Sequence, residues 1–183
     1  MFLLTQRLMW FVFFIVSNEL AAGKTLPENI PTRIFVEQGN IYYILGDNKK
    51  NQVTNIGKDH SPRLSPDKKI IAFIRTTNIS IPKTCAYFVD TGSDYTKQIW
   101  TYDIATKKER LLVKNNFLCD EPKKMIVDPN DLQFSPDGKT LYFFTSAWTT
   151  SGALHAINID GAKLRYVTPA LSYEVIHGYQ RQE

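Results

Sequence analysis

The chain has 183 residues with 22 Lys+Arg against 18 Asp+Glu, a formal charge of only +4, with 13% aromatic and 22% charged residues. These values exclude a disordered or low-complexity chain, give no electrostatic case for nucleic acid, and leave length for one domain. Two cysteines are too few for a disulfide scaffold and lack zinc-site spacing.

The chain opens with Arg7 before an unbroken apolar run, Leu8 to Val16, followed by Ser17 and the small residues Ala21, Ala22 and Gly23. A positive start, a short apolar stretch and small residues at a cut site predict a signal peptide over 1–22. The run is far shorter than the roughly 20 residues that span a bilayer. The mature chain, 24–183, is then expected outside the cytoplasm, in the periplasm or secreted, where a disulfide is permitted.

Next comes Ile41-Tyr42-Tyr43-Ile44-Leu45-Gly46-Asp47-Asn48-Lys49-Lys50, two alternating strands around a turn, within a half unit over 34–57. Residues 62–113 and 131–168 then align with each other. Arg63-Leu64-Ser65-Pro66-Asp67-Lys68-Lys69 matches Gln133-Phe134-Ser135-Pro136-Asp137-Gly138-Lys139, each time leading into an apolar, β-prone strand. Pro presets φ for the first central turn position and Asp or Gly tolerates the rest of the turn, so each copy predicts a hairpin. A second pair, Ile99 to Val113 and Leu154 to Thr168, predicts another hairpin per unit. The four strands of a unit are called A to D. Nineteen residues separate Ser135 from Leu154 and 24 separate Ile41 from Ser65, a unit of 43, inside the roughly 40–45 of a four-stranded propeller blade. A stub, 172–183, remains. The fold class expected is all-β: antiparallel four-stranded blades of a β-propeller, incomplete at about two and a half.

Strand, Ser-Pro-Asp-Gly-Lys, strand, then a hairpin of the Ile-Tyr-x-x-Asp type resembles the WD40-like or PD40 repeat of TolB-like periplasmic β-propellers. Such proteins usually close six or so blades and often carry an N-terminal α/β domain, for which no pattern is present here. The resemblance implies a propeller fold and a role in protein binding.

Catalytic chemistry finds no foothold. No Gly-x-Ser-x-Gly elbow exists, and His60, His155 and His177 stand apart from one another as packing or surface residues. No metal ligand set, cofactor loop or small-molecule substrate is indicated. The expected function is a secreted or periplasmic, non-catalytic module for protein binding or scaffolding, with a protein partner or self-association. The alternatives are the propeller portion of a prolyl-oligopeptidase-like secreted peptidase lacking its catalytic domain, or a degenerate fragment.

Two features remain. Strand direction alternates, so A–B and C–D turns share one rim, carrying Lys49, Lys50, Lys68, Lys69, Lys107, Lys108, Lys139 and Lys163. That rim is expected to be basic, with weak contact to an anionic envelope surface as its functional version. On the opposite rim, the B–C and D–A connections of the unit 62–113 are longer by 15 and 12 residues than their counterparts, and each holds one cysteine. A Cys85–Cys119 disulfide is therefore expected, gathering Tyr87, Phe88, Phe117 and Met125 into a partner-binding surface.

Overall fold

A computed structural model describes residues 31–85, 94–148 and 151–176. The leader over 1–22 lies outside these residues. Among the described residues, eleven strands build three antiparallel sheets. The first contains β1 (Pro31–Glu37), β2 (Asn40–Leu45) and β3 (Lys50–Gln52) in chain order. The second contains β4 (Asp59–Leu64), β5 (Ile70–Ser80), β6 (Tyr95–Asp103) and β7 (Lys108–Val113), again in order. The third contains β8 (Asn130–Phe134), β9 (Thr140–Ser146), β10 (Gly152–Asn158) and β11 (Arg165–Ala170). Two are the four-stranded blades that the repeat predicts. The first has one strand more than the hairpin read from Ile41 onward: β1 pairs along β2 from Glu37↔Asn40 to Pro31↔Leu45.

The sheets stack face to face, and the period of a strand explains how. Successive side chains on a strand point to opposite faces, and β5 is buried on both over residues 71–74. Ile71 and Phe73 join Ile41, Tyr43, Val53 and Tyr102 in a core between the first and second sheets. Ala72 and Ile74 join Ile99, Val113, Leu132, Leu141, Phe143 and Ile157 in a core between the second and third. Four consecutive buried residues thus serve two interfaces. Trp100 and Tyr102 lie on the first of these faces, opposite Phe73 and Ile71.

Polar groups complete that face. Arg75 donates from Nε to Asp59 Oδ1 at 2.7 Å, and from Nη2 to Asp59 Oδ2 and Glu109 Oε2 at 2.9 and 2.8 Å. Its guanidinium carbon lies 4.4 Å from the centre of the Trp100 ring. One side chain therefore ties β4, β5, β6 and β7 together, and Asp59 has no exposed surface.

The Ser-Pro-Asp turns repeat to the atom. The Ser65 hydroxyl donates to Asp67 Oδ1 at 2.6 Å and accepts from the Ile70 amide at 2.9 Å; Ser135 does the same with Asp137 and Thr140 at 2.6 and 2.9 Å. Pro and Asp stand where the turn pattern predicts, but the serine hydroxyl is the hub of the turn. A left-handed residue is also required, supplied by Gly138 at φ 70° and by Lys68 at φ 61°. Even the bulge before each turn recurs, with Ser61 and Asp131 at φ 52° and 47°.

Residues 172–176 of the stub lie along β8. Gln133 Nε2 donates to the Tyr173 carbonyl at 3.2 Å, the Val175 amide donates to Gln133 Oε1 at 2.9 Å, and the Tyr173 hydroxyl donates to the Asp131 carbonyl. The Tyr173 ring stacks on Phe144, covering part of the outer face of the third sheet.

The turn and the buried cluster can each be tested by stability. A lysine held left-handed costs about 1–2 kcal/mol, partly offset by the lower unfolded-chain entropy it has relative to glycine. Urea melts of Lys68→Gly should show a gain of about 0.5 kcal/mol, and Gly138→Lys a comparable loss. Arg75→Ala leaves the buried Asp59 carboxylate without its cation and should cost about 3–5 kcal/mol; a change below about 1 kcal/mol would mean that the cluster is not a buried one.

Candidate functional site

The long connections of the second sheet determine where a site forms. Part of the β5–β6 insertion lengthens those strands to 11 and 9 residues, against 7 and 7 in β9 and β10. Beyond the ends of these strands, the Ile81 amide donates to the Asp94 carbonyl at 2.9 Å. The β7–β8 connection folds on itself through the Asn116–Ile126 bridge. It is held to β6 by Asn115 Nδ2 on the Lys97 carbonyl at 2.7 Å and by the Lys97–Asp128 ion pair at 2.6 Å.

Cys85 and Cys119 join these two connections in a disulfide, with 5.0 Å between their Cα atoms. Cys85, Cys119, Met125 and Val127 form a small buried core there, with Ile81 against it. Met125 has no exposed surface. It packs inside the loop, beneath the surface expected to meet a partner. Phe117 is 37% exposed and stands on the outer side with Leu118. Tyr87 and Phe88 lie outside the described residues.

Phe117 is at the mouth of a cleft of about 790 Å³ between the outer edges of the second and third sheets. Its floor is apolar, made by Leu112, Val113, Ile126 and Ile157 with His155. Leu164, 46% exposed, and Tyr166 stand on the β11 side. The lips carry Lys114, Lys123, Lys124 and Arg165, and no carboxylate lines the cleft. Lys124 is paired with Glu121 at 2.5 Å, and Lys123 Nζ lies 5.5 Å from the centre of the Tyr166 ring. The volume is that of pockets which hold small ligands or peptide side chains. Sequence pattern gives no signal for this cleft. Phe117 belongs to one rim and Leu164 to the turn on the other, and they line one groove only because the second and third sheets stack.

His155 is 2% exposed, stacked on Phe143 at 5.2 Å, with Nε2 3.1 Å from the Thr145 hydroxyl. Burial pushes its pKa down to about 4, so the ring is neutral at pH 7. His60 sits beside the Ser61 hydroxyl and is also pushed down, by burial and then by Lys97; His177 lies outside the described residues. Among the described residues, no three His, Cys, Asp or Glu side chains gather as a metal site requires.

The lysine rim is partly as the alternation of strands predicts. Lys49, Lys68, Lys69 and Lys107, from three different hairpin turns, converge with Asp67 and Tyr43 around a hollow of about 540 Å³. Lys50 departs from it: its ammonium lies over the Tyr42 ring at 4.1 Å and pairs with Glu37. Asp67 and Asp137 are held below the usual carboxylate range, first by the serine hydroxyls that donate to them.

The stacked antiparallel blades define a partial β-propeller. Searches of protein-family models and of curated proteins return no match to this chain. Among solved structures, the dipeptidyl peptidase 4 of Porphyromonas gingivalis is similar in fold, with a TM-score of 0.54 at 13% identity, over 78% of this chain and 24% of that one. TolB from Acinetobacter baumannii aligns at 0.49 and 17% over 74% and 28%, and the β-propeller domain of the Trilobed protease from Pyrococcus furiosus at 0.46 and 15% over 68% and 32%. The chain thus spans about a quarter to a third of the length of these three chains.

The buried histidine gives a pH signature. Between pH 6.5 and 4.5 the unfolded chain protonates His155 while the folded chain does not, so the unfolded state binds more protons and stability falls as pH drops. The expected loss is about 2–3 kcal/mol over that window, read from urea melts at the two pH values. His155→Gln should remove most of it, leaving a smaller slope of the same sign from His60. An unchanged slope would show that His155 is solvated. Below the ordinary carboxylate value of 3.8, protonation of Asp67 and Asp137 adds a separate loss.

Proposed function

We propose that this chain is a non-catalytic propeller module of the TolB-like kind, working outside the cytoplasm and binding a protein partner at its disulfide-stapled rim. The observation that carries this reading is the placement of Phe117. A covalent staple and a private apolar core hold an aromatic side chain out to solvent at the lip of a cleft. Presenting a large apolar group forfeits burial, and a loop held rigid on a scaffold is where recognition is commonly placed. The disulfide supports an oxidising compartment, as does the leader-like sequence before Lys24.

The test has two parts. Mass spectrometry of the exported protein, alkylated without reductant, should find no free thiol. Cys85→Ser with Cys119→Ser should lower stability by about 3–4 kcal/mol, as expected for opening a loop with a sequence separation of 34. Affinity capture from the producing cell's envelope fraction should then recover a partner with the parent protein and lose it with Phe117→Ala, at an unchanged melting temperature. Equal capture by both would overturn the assignment of the rim; a fall in melting temperature with Phe117→Ala would make the side chain a blade cap.

A further inference from the structure

The charge on the cleft lips points to the chemistry of what the cleft holds. Lys114, Lys123 and Arg165 form no ion pair among the described residues, and only Lys124 of the four cations is neutralised by a neighbour. Three uncompensated cations around an apolar floor form an unbalanced field, which a bound anion would complete. Both walls end in strand edges: β7 and β11 are the terminal strands of their sheets, with backbone donors and acceptors free to meet an extended chain. Phe117 on one wall and Leu164 and Tyr166 on the other flank a floor that suits an apolar side chain. Neutral His155 adds no charge to that floor.

We propose that the cleft between the second and third sheets binds an extended acidic peptide segment of a protein partner, with a large apolar side chain seated on the floor and carboxylates at Lys114, Lys123 and Arg165. This rests on reading the chain as a binding module and names the partner's chemistry. The lysine rim is a different surface: Asp67 stands among its cations, and its hollow lies between the first and second sheets.

The probe is a fluorescent synthetic peptide with a central Leu-Phe pair flanked by Asp and Glu, monitored by fluorescence polarisation with the oxidised, exported protein. Two further peptides carry Lys in place of the acids, or Ser in place of Leu-Phe. The acidic peptide should bind saturably, weaken as salt rises, and bind at least about tenfold more tightly than either control. Lys114→Glu with Arg165→Glu should weaken it about tenfold or more, while Lys68→Glu with Lys107→Glu, the same change in net charge on the other rim, should leave it within about twofold. On the parent protein, a photo-crosslinker at the peptide's Phe should label Phe117, Leu164 or Tyr166, which keeps the test independent of any variant's folding. Equal binding of the basic peptide, equal loss in both double variants, labelling elsewhere, or absence of saturable binding would each overturn the proposal. So would sedimentation with phosphatidylglycerol vesicles that the Lys114/Arg165 variant loses, which would make the cleft a membrane contact. If the peptide fails while Phe117→Ala still abolishes partner capture, the acidic chemistry falls and the binding-module reading stands.

Discussion

The rest of the structure depends on one stretch of strand, residues 71–74 of β5, having no solvent face. Ile71 and Phe73 of β5 belong to one core, and Ala72 and Ile74 to another, so a one-residue slip of β5 would exchange the side chains offered to its two neighbours. That requirement fixes the register of the second sheet and, through it, the stacking of the other two. Arg75 extends the same constraint toward the rim by tying Asp59, Glu109 and Trp100 across four strands. On the other face of β5, the second and third sheets share the core around Ala72 and Ile74, and the cleft is lined beside it by residues of β7, β10 and β11.

The turns at one rim and the connections at the other solve different problems. The Ser65 and Ser135 hydroxyls satisfy backbone amides inside the turn, so a short hairpin needs no further support and can carry lysines at its tip. The insertions at the opposite rim cannot be held by local bonds alone. They use a disulfide, a buried methionine and the Lys97–Asp128 pair. Phe117 is what this second arrangement leaves uncovered, and the cationic lips begin beside it.

Much of the blade architecture is legible in the sequence because it is written in matching residues, 70 apart at the first turn and 55 apart after the 15-residue insertion. Ser65 and Ser135, Lys68 and Gly138, and Ile99 and Leu154 report a repeat whatever the tertiary contacts are. The disulfide is legible from strand direction and two insertions. Anything decided by exposure or by contact between blades is not. Met125 reads as a surface residue because its loop is long, yet the loop carries its own core. Arg75 belongs to no motif, although it is the centre of a network across four strands. Leu164 and Phe117 occupy opposite rims in the repeat and line one cleft only through the stacking of the second and third sheets. The first sheet's extra strand, β1, escapes the repeat pattern because residues 31–37 have no counterpart in the hairpin copy that reveals β2.

The central claim is that β5 is the shared wall of two cores. Native-state hydrogen exchange, monitored residue by residue by NMR, tests it most directly. The amides of Ile71 to Ile74 should be among the slowest in the protein and open only with global unfolding, while those of β3 and β11 exchange through smaller openings. If the β5 amides instead exchange as fast as those edge strands, while β9 and β10 stay protected, the second and third sheets do not share a wall and the stacked-blade account is wrong.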